Sequence, residues 1–345
     1  MEMKDKGAFT RNEIFSQPEA WAAALDVLTG QRQAILDIEA VRRYDQILFT
    51  GCGSTYYLSL AAATLTQELT GRPSRAFPAS ELWLHPKSSY AAGKTLLIAV
   101  SRSGETTETL RACQAFLDNP RGDLLTISCY AETPLAQRGT VNLVFPSGQE
   151  RSVAQTRAFS TMYLATAALG CLWAGRADLY DSLARLPEAG RRLLKDYAAT
   201  ATDLGREARF DRFYFLGSGG RYGLAGELSL KMKEMSLSHS EPFHFMEFRH
   251  GPKSMVTADT TLMVGLVSER GYEDESRVLN EMEALGSTTL TLSEGRGEVA
   301  FDSQVEEVVR NVLYLPIGQL LAFEHSLSKG LDPDRPNNLE TVVRL

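Results

Sequence analysis

Four hydroxyl side chains stand close together at positions 101–108, directly after the apolar run 96–100. They are Ser101, Ser103, Thr106 and Thr107. The apolar run is typical of a buried strand, and the Ser, Gly and Thr residues after it predict a turn that opens a helix. A helix N-terminus favours an anion because it offers unpaired N–H groups and the positive end of the dipole. A simple helix cap is the alternative, because Ser and Thr cap many helices.

A second turn, Gly51-Cys52-Gly53-Ser54-Thr55, favours the anion site over the cap. In a doubly wound sheet, ligands bind beyond the carboxyl ends of the strands, where two such turns converge. The glycines bring backbone N–H groups close to a ligand, and the two hydroxyls add donors. We therefore predict that a phosphate or a sulfonate binds at these turns. Neither GxGxxG nor GxxxxGK[ST] is present, so a nucleotide site is not expected.

A predicted helix at 224–236 carries a second group of reactive side chains, Glu227, Lys231 and Glu234. Spacings of four and three residues place all three on one helix face. An ammonium between two carboxylates favours the charged form of each carboxylate, whereas burial favours the neutral form. The balance of these two effects sets the pKa of the carboxylates, and it can tune one of them as the general base that moves a sugar proton. An exposed ion pair is the commoner outcome of such spacings. The leucines and methionines around the three residues instead favour a helix that is buried on nearly all sides.

Three of the five histidines, His239, His244 and His250, lie in one stretch with Glu241 and Glu247. The sequence HGP at 250–252 predicts a sharp turn that exposes an imidazole, the side chain best suited to proton transfer near neutral pH. We expect no metal here, because the spacing matches no standard ligand motif.

The elements that must position these residues alternate between strands and helices. Strands are predicted at 46–50, 74–78, 95–100, 123–129, 141–145, 212–216, 261–267 and 288–292. This alternation predicts parallel βαβ units, and therefore an α/β fold with doubly wound parallel sheets. Helical periodicity predicts helices between 12 and 43, a helical bridge over 155–205 and a long helix within 308–329.

The two halves of the chain form an internal repeat. LFTGCGSTYY at 48–57 matches YFLGSGGRYG at 214–223, and IAVSRSGETTE at 98–108 matches GLVSERGYEDE at 265–275 at nearly the same offset. In the second copy the acids Glu269 and Glu273 accompany the loss of the hydroxyls, so we assign the anion to the first copy. The predicted divisions are an N-terminal helical segment at 1–44, one subdomain at 45–200, another at 201–330 and a tail at 331–345.

Composition excludes several classes of function. The formal net charge is −7 and no Lys/Arg cluster is present, so no nucleic-acid partner is expected. No apolar run reaches the length of a membrane span and the N-terminus has no apolar leader, so we expect no membrane association. The four cysteines are scattered without CxxC spacing, which predicts a cytoplasmic protein with neither a disulfide framework nor a zinc cage. No cofactor is expected.

The two Gly turns, SRSGETTET, the ELSLKMKE helix and the RHGP turn together resemble the sugar isomerase (SIS) family. More closely, they resemble the isomerase half of glucosamine-6-phosphate synthase and the standalone phosphosugar isomerases and deaminases. The resemblance implies two tandem, flavodoxin-like SIS subdomains, a homodimer and a sugar phosphate substrate. The residues implied to bind the phosphate end are Gly53, Ser54, Thr55, Ser101, Arg102, Ser103 and Thr106.

The resemblance also implies roles in catalysis and in binding the sugar. Glu234 would transfer the proton between C1 and C2, with Lys231 and Glu227 beside it. His250 would reach the active site of the partner subunit and assist ring opening. Val153 and Gln155 would face the sugar.

The sequence departs from the family at several positions. Arg102 stands where the family often has Gln, and Gln155 stands where the synthase has Ser. In the C-terminal motif DxDxPxNLAKS the lysine is replaced by Thr341, so we expect no imine route through that position. Glu340, just before it, is included among the predicted substrate-binding residues. Residue 2 is Glu rather than a nucleophilic Cys, so glutaminase activity is not expected.

Together the residues and the resemblance favour an aldose–ketose isomerase that acts on a substrate like fructose 6-phosphate or glucose 6-phosphate, or on a sulfosugar. The close alternative is an amino-sugar-phosphate deaminase or a fructosamine-6-phosphate deglycase. A phosphosugar sensor without catalytic activity is the alternative of another class. Retention of both Glu234 and His250 argues against the sensor, which needs neither.

Overall fold

The computed structural model describes residues 6–38, 44–119 and 121–344. Within these ranges the protein has two parallel β-sheets of five strands each, flanked by helices. The strands of the first sheet are β1 (Gln46–Gly51), β2 (Ser74–Pro78), β3 (Thr95–Val100), β4 (Gly122–Ser128) and β5 (Val141–Val144). Those of the second are β6 (Arg212–Gly217), β7 (His239–Phe243), β8 (Thr261–Leu266), β9 (Thr288–Ser293) and β10 (Val299–Ala300). The predicted fold of two doubly wound parallel-sheet subdomains is confirmed.

The helices fall into four groups along the chain. Before β1 lie α1 (Ala8–Phe15), α2 (Gln17–Gly30) and α3 (Arg32–Asp37). Around the first sheet lie α4 (Ser54–Thr70), α5 (Ala79–Leu84), α6 (Pro86–Ser89) and α7 (Thr107–Asp118). Between the sheets in sequence lie α8 (Arg157–Trp173), α9 (Ala177–Ser182) and α10 (Leu186–Arg206). With the second sheet lie α11 (Arg221–Ser236), α12 (Phe245–Phe248), α13 (Tyr272–Glu283), α14 (Glu307–Arg310) and α15 (Leu315–Ser328).

Both sheets have the same strand order. The first runs β2-β1-β3-β4-β5 and the second runs β7-β6-β8-β9-β10, with every neighbouring pair parallel. In this doubly wound order the chain reverses direction across the sheet between the first and third strands. Because the topology of one half repeats in the other, the internal repeat predicted from the sequence is confirmed.

The burial of the central strands explains why continuous apolar runs in the sequence predicted them. Every residue of β1, β3 and β8 is buried. A strand covered by helices on both faces is apolar along its whole length instead of alternating. In the register of the first sheet, Thr50 of β1 pairs with Ala99 of β3. The turns that follow these two strands therefore leave the same edge of the sheet side by side.

The chain packs as two compact units. The first unit holds the first sheet and comprises the described residues of Glu19–Glu150, Arg157–Ala184 and Glu340–Leu345. The second unit holds the second sheet and comprises those of Met1–Pro18, Arg151–Thr156 and Arg185–Leu339. The predicted divisions at 44, 200 and 330 give segments that are continuous in sequence, whereas each of these units combines several separate segments. Local periodicity carries no signal for the sheet with which a distant short segment packs.

Two strands and one helix boundary differ from the sequence-based expectation. The strand β7 was not predicted because its sequence, HSEPF, lacks an apolar run; as an edge strand it tolerates Pro242. The strand β10 is only two residues long. The helix expected within 308–329 is divided into α14, a 3₁₀ turn at Asn311–Tyr314 and α15, which begins at Leu315 with Pro316 in its first turn. Among the described residues, no helix is long and apolar enough to cross a membrane.

His325 of α15 is a buried histidine. Its Nδ1 lies 2.9 Å from the carbonyl oxygen of Gly205, and its ring centroid lies 4.7 Å from that of Phe213. Burial, aided by the charge of Lys329, lowers the pKa of His325 below its usual value despite the bond to Gly205. The unfolded chain therefore binds a proton at pH values where the folded chain does not. It follows that stability falls as the pH drops below about 6.5.

We expect His325→Gln to reduce this acid sensitivity. Glutamine retains a hydrogen-bond donor but does not titrate, so the loss of stability between about pH 8 and about pH 5 becomes smaller. Urea unfolding at both pH values measures the effect, with the exposed His239→Gln as the control. An equal loss in the variant and the wild type would show that His325 does not contribute.

Candidate active site

The two turns of the predicted anion site lie together in the first unit, after the adjacent strands β1 and β3. This is the point where the strand order reverses, the usual ligand crevice of such sheets. In the second turn, Ser101 Oγ accepts a hydrogen bond from the Gly104 N–H at 3.1 Å and lies 3.4 Å from Thr106 Oγ1. The first turn also contacts α7, the helix that follows the second turn, since Cys52 Sγ lies 3.6 Å from Thr109 Oγ1.

Two glycines shape these turns. Gly53 and Gly104 have φ values of +55° and +68°, a region that favours glycine. A Cβ on Gly104 would lie 2.1 Å from Thr133 Oγ1, so this position packs too closely for any side chain. A Cβ on Gly53 would have no atom within 4 Å among the described residues. The first turn therefore leaves room for a ligand beside its backbone.

The predicted phosphate-binding hydroxyls are in different hydrogen-bonding states. Ser101 and Ser103 accept backbone N–H bonds, the latter from Glu105 at 3.2 Å, so their hydroxyl hydrogens can be donated. The Thr55 hydroxyl accepts from the Cys52 N–H and donates to the Cys52 carbonyl, both at 2.9 Å. This hydroxyl closes its turn and has no hydrogen left for an anion. Direct contact of Thr55 with substrate stays a prediction, as it does for the buried Ser54.

Arg102 is bound within its own unit. Its Nη1 lies 3.3 Å from Glu150 Oε2, and this carboxylate is fully buried. Its Nη2 donates to the carbonyl oxygen of Thr341 at 3.4 Å. A buried carboxylate thus balances the guanidinium charge, and the hydroxyls and N–H groups of the turns stay the predicted donors for an anion. Glu150 had no signal in the sequence, because nothing local links it to Arg102.

The C-terminal tail lies along the same turn. The Thr107 N–H donates to the carbonyl oxygen of Val343 at 3.4 Å, and Arg344 forms a 2.7 Å ion pair with Glu105. The carbonyl of Thr341, at the position of the family's lysine, bonds to Arg102, and Glu340 is exposed. The structure therefore places the altered tail beside the predicted anion site.

The corresponding turn of the second unit is occupied by the chain's own carboxylates. Glu275 Oε2 accepts the Ser268 N–H at 2.7 Å, and Glu307 accepts the Arg270 N–H at 3.3 Å. Arg221, at the start of α11, pairs with Glu307 at 2.6 Å and lies 3.9 Å from Glu275. These contacts support the prediction that the first copy binds the anion, although Glu275 and Glu307 fill the turn rather than Glu269 and Glu273.

Glu227, Lys231 and Glu234 lie together on α11 of the second unit. Lys231 Nζ is 3.3 Å from Glu227 Oε1 and is hydrogen-bonded to Glu234. The side chains of Glu227 and Lys231 are fully buried, whereas that of Glu234 is 18% exposed. Neighbouring apolar residues of the helix are also buried. The expected burial of the helix is confirmed, and the alternative of an exposed ion pair is wrong.

The ammonium of Lys231 is held charged by its surroundings. Burial alone would lower its pKa, but the carboxylates of Glu227 and Glu234 outweigh burial and raise the pKa of Lys231 above its usual value. Glu234 is thus held by this ammonium on one side and is partly exposed on the other, as a general base requires.

His250 lies in an exposed turn after α12. Its N–H donates to the carbonyl oxygen of Glu247 at 3.0 Å, and the next residue, Gly251, has a φ of +115°. The expected sharp turn with an exposed histidine is confirmed. The role of His250 in a partner's site stays a prediction. The ring of His244 stacks on that of Tyr222, with the two ring centroids 4.2 Å apart. Partial burial lowers the pKa of His244, although the charge of Glu247 opposes this shift.

Val153 and Gln155, the predicted sugar-facing residues, lie half-buried in the segment Arg151–Thr156 of the second unit. The N–H groups of Arg151 and Ser152 donate to Glu13. Sequence reasoning missed Glu13, because a glutamate in an amphipathic helix carries no sign of a distant partner.

We expect Ser101→Ala to weaken the binding of inorganic phosphate about 10-fold, because a hydrogen bond to a charged group is lost. Calorimetric titration with phosphate measures the affinity. Ser88→Ala, an exposed serine in the same unit, is the control and should bind like the wild type. Equal phosphate affinity in the Ser101 variant would exclude this turn as the anion site.

Comparison with known proteins gives a consistent result. Residues 41–171 and 208–297 match the SIS domain. The glutamine–fructose-6-phosphate aminotransferase (isomerizing) of Methanothermobacter thermautotrophicus is 30% identical over 370 aligned residues, which cover 99% of this chain and 59% of that protein. The enzyme of the same name from Pseudomonas aeruginosa is 28% identical, with 99% and 60% covered. The chain thus spans about three-fifths of the length of these relatives.

Two solved structures are similar over nearly their whole length. Glucosamine-6-phosphate deaminase from Thermotoga maritima superposes with a TM-score of 0.83 at 28% identity, covering 98% of this chain and 100% of that one. Tagatose-6-phosphate ketose/aldose isomerase from Escherichia coli has a TM-score of 0.85 at 24% identity and 95% coverage of both chains, which supports the fold alone. With its matched residues and its two sheets of identical strand order, the chain belongs to the SIS domain family.

Proposed function

We propose that this chain is a phosphosugar aldose–ketose isomerase that acts on a sugar carrying a phosphate or a sulfonate group. The observation that carries the proposal is Glu234, a partly exposed carboxylate held by the fully buried ammonium of Lys231. Buried charges are expensive and are retained where their chemistry is used. The relatives named as isomerizing aminotransferases and as a phosphosugar deaminase support a reaction at a phosphosugar.

In this proposal the turns after β1 and β3 bind the anionic end of the substrate. The donors are the hydroxyls of Ser101 and Ser103, with the backbone beside Gly53. The group bound there takes no part in the reaction. Its binding energy therefore serves to orient the reacting carbons, which converts binding into rate.

Glu234 moves the proton in this proposal. In the open-chain aldose the C2 proton is acidic because it neighbours the C1 carbonyl. Glu234 removes this proton while the C1 carbonyl oxygen gains one, which gives an enediol. Glu234 then returns its proton to C1, and the C2 hydroxyl releases a proton, which balances the one taken up at the C1 oxygen, and becomes the ketone. The oxidation state of the whole molecule does not change, so the reaction requires no external oxidant or reductant. Lys231 keeps Glu234 oriented, and His250 assists ring opening.

The altered tail is compatible with isomerisation. An imine at the ketose carbonyl would require an amine, and Thr341 has none. Its carbonyl oxygen instead accepts a hydrogen bond from Arg102. Proton transfer through an enediol needs a base and an anchored substrate, but no imine. This difference favours isomerisation over chemistry that begins with lysine attack at this position.

A deaminase or a deglycase is the second candidate. It is favoured by the 28% identity with the T. maritima glucosamine-6-phosphate deaminase along the whole of that chain. Such an enzyme would use the same base and the same anchor but would also expel an amine. Release of ammonia or of an amino acid therefore separates the two candidates.

A substrate panel tests the proposal. The purified chain is incubated with glucose 6-phosphate, fructose 6-phosphate, glucosamine 6-phosphate, a fructosamine 6-phosphate and a 6-sulfonate sugar. Proton NMR follows each sugar, and a coupled assay follows ammonia. We expect interconversion of an aldose and a ketose without release of ammonia. Release of ammonia or of an amino acid would establish the second candidate, and tight binding without turnover would establish a sensor.

A further inference from the structure

The segment Arg151–Thr156 is anchored at its start by a buried carboxylate from α1. Glu13 Oε1 accepts the N–H groups of Arg151 and Ser152 at 2.6 and 3.3 Å, and Glu13 Oε2 accepts the Ser152 hydroxyl at 2.5 Å. Glu13 is only 2% exposed. Hydrogen bonds to a carboxylate are short and strong, and a buried site strengthens them further. The start of the segment is therefore fixed to α1.

The middle of the segment is fixed to the same helix through Asp334. The Val153 N–H donates to the carbonyl oxygen of Asp334 at 3.2 Å. The carboxylate of Asp334 accepts the N–H groups of Phe9 and Thr10 at 3.1 and 2.7 Å, and the Thr10 hydroxyl at 2.7 Å. The first turn of α1 thus holds Asp334, and Asp334 holds Val153.

The end of the segment is fixed by α15. Gln319 Nε2 donates to the carbonyl oxygen of Thr156 at 3.3 Å, and both atoms lie in the buried interior of the second unit. Three hydrogen-bonded anchors along six residues leave the backbone little freedom. Side chains carried by a backbone of this kind keep a defined position, as a recognition surface requires.

The side chain of Gln155 lies between these anchors with one group unsatisfied. Its amide oxygen Oε1 is buried and has no hydrogen-bond partner in the described ranges. Buried acceptors are satisfied in nearly all native proteins, and this one can accept a hydrogen bond from a bound molecule. An amide oxygen only accepts hydrogen bonds, so the complementary group is a donor, such as the hydroxyl of a sugar.

We infer that Glu13 is a positioning residue for substrate recognition, which acts by holding the segment Arg151–Thr156 so that Gln155 accepts a hydrogen bond from a sugar hydroxyl. The inference rests on the proposed function and names a substrate contact within it. Glu13 touches no substrate itself. Its effect on binding passes through the backbone of Arg151 and Ser152.

Two variants test the two steps. Glu13→Gln removes the charge that holds the segment, and Gln155→Met keeps the length of the side chain but removes the acceptor. We expect each to raise the KM for the sugar phosphate about 10-fold with a smaller change in kcat. Glu13→Asp, which restores the carboxylate, should recover part of the loss. The double variant should be no worse than the worse single variant, because both act at one contact.

Glu275→Gln is the matched control. Glu275 is another buried carboxylate of the second unit that accepts a backbone N–H, from Ser268. We expect this control to lower the melting temperature while the KM stays unchanged. Inorganic phosphate provides a second control, since its inhibition constant should be equal in the wild type and in both test variants. Its binding depends on the turns of the first unit and not on Gln155.

The outcomes separate this inference from the proposed function. If Glu13→Gln lowers the melting temperature but leaves the KM unchanged, Glu13 is only structural and the inference is wrong. An unchanged KM in Gln155→Met also overturns it, while turnover by the wild type would still stand. If the wild type turns over no sugar, the proposed isomerase fails. The dissociation constants then decide the inference, since weaker sugar binding in both variants supports it and equal binding overturns it.

Discussion

Replacing Glu234 by glutamine is expected to lower kcat for aldose–ketose conversion by at least about 100-fold, because the variant has no carboxylate to take the proton. Glutamine has nearly the same size and its amide oxygen can still accept a hydrogen bond from Lys231. Substrate binding through the turns of the first unit should persist, so KM should change little. Steady-state assays with the active sugar from the substrate panel measure both parameters.

Glu188→Gln is the control for this result. Glu188 is an exposed residue of α10 that pairs with Arg191, so neutralising it should leave kcat unchanged. If Glu234→Gln retains wild-type kcat, Glu234 is not the base. If KM rises as far as kcat falls, Glu234 contributes to binding instead, and the base must be sought elsewhere in the second unit.

Lys231→Met is expected to destabilise the protein by about 3–5 kcal/mol, because it removes the ammonium beside a fully buried carboxylate. The Glu227 side chain is fully buried and lies 3.3 Å from Lys231 Nζ. In the variant Glu227 must either stay ionised in an apolar setting or take up a proton, and both cost free energy. Urea unfolding gives the free energy of unfolding, and the activity should fall together with the stability.

The double variant Lys231→Met/Glu227→Gln provides the decisive comparison. Removing the second charge of the pair should restore much of the lost stability, because no uncompensated buried charge remains at Glu227. Activity should stay low in the double variant, since Glu234 has still lost the ammonium that orients it. If the single and double variants are equally stable, the burial of Glu227 does not carry the penalty described here.

Features that depend on neighbouring residues could be predicted from the sequence. The buried strand β3 has a continuous apolar run, and helical spacing placed Glu227, Lys231 and Glu234 on one face of α11. The repeat could be predicted because both halves keep the turn after their first strand. In each of these cases the signal lies in one short segment or, for the repeat, in the comparison of two short segments.

Features that depend on distant partners could not be predicted. Arg102 was recognised as unusual, but its ion pair with Glu150 joins residues that are far apart in sequence. Glu13 holds a segment more than 130 positions away through backbone N–H groups, which every residue type except proline has. The strand β7 forms because β6 offers an unpaired edge, and its own composition gives no indication of it.

The two copies of the repeat also combine a feature that the sequence predicts with a feature that only the structure shows. The loss of hydroxyls in the second copy was visible in the sequence and indicated that it would not bind an anion. The structure supplies the physical reason, since Glu275 and Glu307 already occupy the N–H groups of Ser268 and Arg270. A carboxylate from the chain thus takes the place that an external anion has in the proposal for the first copy.

Deuterium incorporation at C2 tests the central claim most directly. The sugar that binds is incubated in heavy water with the wild type, with Glu234→Gln and with Glu188→Gln, and proton NMR follows the C2 signal. The account predicts exchange of the C2 proton in the wild type and in Glu188→Gln, with none above background in Glu234→Gln. Exchange that persists in Glu234→Gln would contradict it.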